Sequence, residues 1–255
     1  MKNILAICGK ELRGYFASPV AYLLLTIFGV LFGVFLNLYV RGFAEYGMQM
    51  QMSGRSTPLS INQIVIGPLL ETTSVVMLFM IPMITMRLFA EEKRQGTMEL
   101  LLTSPIRDWE IVLGKFLGAF LMYAAVLGIS MLDIAMIFVY GNPAWAPIAT
   151  GYLGLLLLGG CLLAIGTYIS TTTKNQIVAG GATFGVLLLL WVLKSSTEFG
   201  QGLVATVLGK CSVLSHFESF PKGVVDTKDV VFYLCVIFLG LFLTTRSLES
   251  LRWRA

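Results

Sequence analysis

Long apolar runs alternate with short polar ones along this chain, and the runs share a length. A helix crossing a hydrocarbon core of about 30 Å needs about 20 apolar residues. Runs of that kind fall at residues 20–40, 64–88, 111–139, 148–169, 176–193 and 230–245. They predict an all-α integral membrane protein with six transmembrane helices in a single domain over residues 1–255. Ser18 and Pro19 read as an N-cap and a first-turn proline for the first span, and Tyr140 to Pro147 as a turn between the third and fourth. The last run is the shortest. Composition agrees: 56% of the 255 residues are hydrophobic and 13% charged, with a mean hydropathy of +0.83, far from a soluble domain.

Residues 1–18 do not span, yet Ile4, Cys8, Leu12 and Phe16 recur at helical spacing with Leu5, Ile7 and Tyr15 beside them and Lys10 and Arg13 opposite. The pattern predicts a helix lying in the membrane interface; Glu11 intrudes at its apolar edge. The early charges Lys10, Glu11 and Arg13 do not fit a signal peptide, so the N-terminus is expected to be retained. Arg41 to Asn62 shows no clear periodicity and reads as a loosely ordered outer loop. In Lys194 to Asp229, Phe199, Leu203, Val207, Leu208, Val213 and Leu214 are too apolar for a solvated loop, which predicts a short helix or helical hairpin dipping into the outer leaflet. Pro221 to Gly223 reads as a turn before the last span.

Charge sets the expected orientation. With a cytoplasmic N-terminus, twelve basic residues fall inside (Lys2, Lys10, Arg13, Arg87, Lys93, Arg94, Arg107, Lys115, Lys174, Arg246, Arg252, Arg254) and six outside (Arg41, Arg55, Lys194, Lys210, Lys222, Lys228). That is the positive-inside bias, and it puts both termini in the cytoplasm. The net charge of +4 is absorbed by that inner face and calls for no nucleic-acid partner. Of the four cysteines, only Cys211 is expected to face outward, so no intramolecular disulfide is expected.

The candidate chemistry is sparse. Gly9-Lys10, Gly114-Lys115 and Gly209-Lys210 all lack the rest of a phosphate-binding loop, so nucleotide hydrolysis of that kind is not expected on this chain. One histidine, His216, cannot build a His-x-x-x-His zinc site, and the segment after Gly128 does not complete a nucleophile elbow, so intramembrane proteolysis is not expected either. No catalytic or metal-ligating set emerges. His216, with Phe217 and Glu218, is a candidate outer re-entrant site, or else an interfacial packing and hydrogen-bonding group. Glu71 and Asp133 fall inside runs. Buried carboxylates are expensive in lipid, so each marks a pathway or a structural hydrogen bond.

The densest charge cluster stands between the second and third runs. Glu91, Glu92, Lys93 and Arg94 follow Arg87; Gly96 breaks the chain; Thr97 can cap a short helix with Glu99 in its first turn and Leu100 to Leu102 as an apolar patch, ended by Ser104-Pro105. Flanking charges that obey the inside rule explain Lys93 and Arg94 but not the acids Glu91, Glu92, Glu99 and Asp108. A short helix with charged and apolar elements, held by two spans, suits docking to a partner protein.

The run from Ile81 to Pro105, followed by Trp109 to Lys115, resembles the hallmark of ABC-2 type transporter permeases. Within them it is most similar to the gliding-motility-associated subgroup, with the nitrous-oxide-reductase maturation permeases more distant. His216 to Phe220, Gly223 to Asp226 and Asp229 resemble the same subgroup. The resemblance implies an ABC-2 type exporter fold: six spans, an N-terminal interfacial helix, a cytoplasmic coupling helix and outer re-entrant helices, in a bacterial cytoplasmic (inner) membrane. It implies a non-catalytic subunit that binds no cofactor itself and works as a homodimer or pseudo-dimer with two copies of a separate ABC ATPase, which carries ATP and Mg. An auxiliary membrane protein is a further implied partner, beside membrane lipid. Carried over by residue, Glu91, Glu92, Lys93, Arg94, Gly96, Thr97 and Glu99 fall on the coupling element. Gliding itself does not follow. Two other readings stand beside export: an ATPase-recruiting anchor of an envelope or motility complex, and a secondary carrier using Glu71 and Asp133. The transported substrate is not legible.

Overall fold

Apolar runs of spanning length can satisfy their backbone in lipid only as helices or closed barrels, and the chain takes the first course. The computed structural model describes residues 2–53, 60–103, 105–199 and 212–252, without the side chains of Leu102, Tyr140 and 194–199; the described residues are helical with no strand. In chain order the helices are α1 Lys2–Ala17, α2 Pro19–Met52, α3 Gly67–Thr85, α4 Ala90–Gln95, α5 Thr97–Thr103, α6 Asp108–Tyr140, α7 Trp145–Thr172, α8 Gln176–Phe199 and α9 Thr227–Arg252. A π-helical turn, Asn62–Ile66, leads into α3. Six stretches are long and apolar enough to cross a membrane: α2, the turn with α3 and α4, α6, α7, α8 and α9.

Helix α7 is the most buried of the six and forms the centre, with α9, α3 and α8 packed along it and α2 placed on α6. At the end where α1 lies across α6, called here the α1 end, Ser18 accepts a hydrogen bond from Val20 N at 3.4 Å and caps α2. At the far end, two 3-10 turns, Ser215–Phe217 and Phe220–Lys222, bury Phe217 and Phe220 against the bundle.

Three stretches depart from the sequence pattern. Arg41 to Met52, expected as a loosely ordered loop, continues α2 without a break. Nucleation is already complete in the spanning part, no proline intervenes after Pro19, and Ala, Glu, Gln and Met propagate helix well. The 34 residues of α2 measure about 51 Å, so the helix outruns a core of about 30 Å. The final helix likewise runs past its apolar stretch to Arg252. In the expected outer hairpin, Leu203, Val207, Leu208 and Cys211 lie outside the described residues, while Val213 and Leu214 are buried. Cys8, Cys161 and Cys235 are free thiols.

The interfacial helix uses a different face from the one its spacing suggests. Ile7, Cys8 and Tyr15 are buried, whereas Leu5 and Phe16 are 70% and 41% exposed. One stripe therefore packs on the bundle, and a second is left for an apolar surface.

Candidate functional site

The charged stretch folds as two short helices set at an angle. After α3 the chain turns through Met86 to Phe89, makes one and a half turns of α4, reverses at Gly96 with φ of 72°, and starts α5. The left-handed backbone at Gly96 costs a side-chain-bearing residue energy that glycine avoids. Glu91 and Glu92 occupy the first turn of α4 and Lys93 and Arg94 its last, the arrangement the helix dipole favours.

The acids of α4 point back into the protein. Lys115, about two turns into α6, is 1% exposed. Its Nζ lies 2.6 Å from Glu11 Oε1 on α1 and 3.0 Å from Glu92 Oε1 on α4, and donates to Leu88 O at 2.7 Å. The ammonium thus donates to Glu11 and Leu88 and forms a further ion pair with Glu92, so three segments meet on one charge. Lys10 Nζ adds a second cation to Glu92 at 3.1 Å, and the Phe89 ring centroid lies 5.2 Å from Lys115 Nζ. Glu92 Oε2 is buried without a hydrogen-bond partner.

Close helix approach makes this cluster possible. A Cβ on Gly114 would lie 2.7 Å from Ile7 Cβ, and one on Gly118 would lie 2.7 Å from Glu11 Cβ. Two small residues four apart let the backbones of α1 and α6 touch, and Glu11 thereby reaches Lys115. A further bond ties α1 to α3: Tyr15 Oη donates to Ile84 O at 2.8 Å. Burial, and behind it the Glu11 carboxylate, pushes the Tyr15 phenol far above its ordinary value, so it stays a neutral donor.

Other bonds close the ring. Arg87 Nε reaches Glu91 Oε2 at 2.9 Å and its Nη1 donates to Ser18 Oγ at 3.1 Å. From α7, Ser170 Oγ accepts from the backbone N–H groups of Phe89 and Ala90 at 3.1 and 3.2 Å, satisfying donors a helix start leaves open. Lys93 Nζ donates to Thr171 O, near the end of α7. A cavity of about 380 Å³ lies among Lys10, Glu11, Tyr15, Arg87, Glu91, Glu92 and Lys115.

Of the residues singled out in the sequence, then, Glu91, Glu92 and Lys93 are half-buried and bonded to the bundle. Arg94, Gly96, Thr97 and Glu99 are exposed; the Thr97 hydroxyl bonds back to Glu92 O at 3.4 Å. Leu100 is 73% exposed, while Met98 is buried and anchors α5. Sequence reasoning missed Lys115, Lys10, Arg87 and Ser170 as parts of the site and met Glu11 only as an irregularity. The available signal was a lysine between Gly114 and Gly118, in a helix that had no need of a charge there.

The remaining candidates lie elsewhere. Glu71 is exposed at the far end, lining a cavity of about 470 Å³. Asp133 is half-buried in α6 and does not line that cavity. His216 Nδ1 lies 2.7 Å from Asp229 Oδ1, Ser219 Oγ donates to Asp229 Oδ2 at 2.8 Å, and the imidazole stacks on Phe232 at 4.0 Å. Phe217 is buried and Glu218 half-buried. The Asp229 carboxylate joins the last 3-10 turns to α9. No group able to hold a metal occurs among the described residues.

Six apolar helices, with a further helix lying across α6 at one end and cross-linked there to a charged helical pair between the second and third spans, define a polytopic membrane protein. The profile of the ABC-2 family transporter proteins matches residues 5–209, and the chain belongs to that family. It is the membrane-spanning permease part of an ABC transporter, which implies partnership with an ABC ATPase. No curated protein matches the chain.

Proposed function

We propose that this protein is the non-catalytic permease subunit of an ABC exporter in a bacterial inner membrane. Both termini and the α1 end face the cytoplasm, two copies of the chain pair, and two copies of a separate ATPase dock at α4 and α5. ATP and Mg belong to that ATPase. The observation that carries the reading is the division of labour within the charged pair. Arg94, Gly96, Thr97, Glu99 and Leu100 face outward, while Glu92 and Lys93 bind α4 to α1, α6 and α7 and Glu91 ties it to Arg87 in the preceding turn. A push on the outer face passes to several helices because each inward bond ends on a different one, and the ATPase's differential contact with two bundle arrangements shifts their populations. An auxiliary membrane protein is a further partner in this reading.

The test is reconstitution with the neighbouring ATPase. Leu100→Asp, with Glu99→Lys, is expected to abolish co-purification of the ATPase and its stimulation, while helix content and size-exclusion profile stay as in the parent. Full stimulation in that variant overturns the docking role. Transport that persists without any ATPase and vanishes in Asp133→Asn would support the carrier reading instead.

A further inference from the structure

The far-end cavity of about 470 Å³ is within the range of small-ligand sites. Two charged side chains of opposite sign line it, Glu71 from α3 and Lys222 from the last 3-10 turn, with Ser60 and Gln63 contributing polar groups. Both charged side chains are exposed, and neither makes an ion pair or hydrogen bond among the described residues. The neighbouring Lys228, by contrast, is paired to Asp226 at 2.8 Å.

The depth of this cavity is set by α2. Ser18, which starts α2, is bonded to Arg87, and Tyr39 further along α2 bonds Thr72, the residue after Glu71, at 2.7 Å. From Pro19 to Tyr39 the helix rises about 30 Å, so Glu71 stands one hydrocarbon thickness from Arg87, at the opposite membrane boundary. The surroundings agree. Ala144 lines the cavity, and next to it Trp145 is 73% exposed, as an indole at the headgroup level is. Beyond Lys222, Val224 and Val225 are exposed apolar side chains.

We propose that this cavity binds the zwitterionic head group of a phosphoethanolamine lipid in the far leaflet. Lys222 meets the phosphate and Glu71 accepts hydrogen bonds from the ammonium, while the acyl chains run over Val224, Val225 and Trp145. A choline head offers no N–H to Glu71, and an anionic head leaves Glu71 facing a like charge. The site does not depend on how the α1 end is coupled.

Native mass spectrometry of delipidated protein, with lipid added back, tests this. Phosphatidylethanolamine is expected to be retained over phosphatidylglycerol and phosphatidylcholine by about threefold, as suits partly solvated charge pairs. Glu71→Gln removes the preference, while Lys222→Gln lowers the retention of all three lipids. Both positions are exposed, so circular dichroism and gel filtration should match the parent. Equal retention of phosphatidylglycerol, an unchanged preference in Glu71→Gln, or unchanged retention in Lys222→Gln overturns the proposal. Binding of soluble phosphoethanolamine as tight as that of the lipid also overturns it, assigning the cavity to a soluble zwitterion.

Discussion

The two ends of the bundle are tied by different chemistry. At the α1 end, ions from segments far apart in the chain meet at one point: Lys115 joins Glu11 and Glu92, and Lys10 joins the same glutamate. At the far end the ties are mostly to backbone carbonyls. Tyr233 Oη donates to Val213 O at 2.8 Å, Thr150 Oγ1 to Phe220 O at 2.8 Å, and the Asn62 side chain exchanges two bonds with Ala144. A carbonyl bond pins one loop to its nearest helix and can be lost alone. A buried ammonium shared by two carboxylates cannot lose one partner without leaving charge uncompensated, so the helices it joins move together or not at all. The difference separates an end tied by shared buried charge from an end tied by single carbonyl bonds.

The strongest way to break that comparison is Lys115→Met, which leaves Glu11 and Glu92 facing each other. Losing one side of a buried ion cluster costs about 3–5 kcal/mol, read as lower thermal stability in detergent, and ATPase stimulation should vanish. Adding Glu11→Gln and Glu92→Gln should restore most of the stability but not the stimulation, which separates fold from coupling. At the far end, Asp229→Asn weakens charge-assisted bonds to His216 and Ser219 worth about 1.5–3 kcal/mol. Thermal stability should drop while ATPase stimulation per folded protein holds; uncoupling as complete as that of Lys115→Met would erase the contrast between the ends.

Gly118→Leu tests the close approach beneath the cluster. The side chain would enter the space of Glu11, and overpacking of this kind costs about 1–3 kcal/mol. Limited proteolysis should then cut within α1 of the variant and leave α1 of the parent intact. The smallest effect is expected of Gly96→Ala. Nothing lies within 4 Å of the added methyl, so only the positive φ opposes it, at about 1 kcal/mol; ATPase affinity should fall modestly with the bundle's melting temperature unchanged.

Much of the scaffold is legible in local pattern. The spans, the interfacial helix and the break at Gly96 each follow from residues within one stretch, through hydropathy, helical period and glycine chemistry. The site is legible only in outline. The acids of the charged stretch are visibly surplus to orientation, but their direction is not, because Glu92 pairs with Lys115 and Lys10, one of which stands before it and one after it in the sequence. Glu11 breaks the apolar period of α1 for the same reason. The side chains of α1 that meet the glycines of α6 are Ile7 and Glu11, and a carboxylate belongs there once its lysine is across the interface. Arg41 to Met52 continues α2 against the pattern: its composition lacks a hydrophobic face, but a helix already nucleated needs none to continue.

What the sequence determined by itself is therefore the membrane, the number of crossings and the place of the charged helical pair, since lipid imposes its demands on each helix separately. Which side chains of that pair point outward, and which bind it to the bundle, was decided only in the tertiary structure. A buried charge goes where its counter-charge is, and the position of the counter-charge depends on how the helices pack.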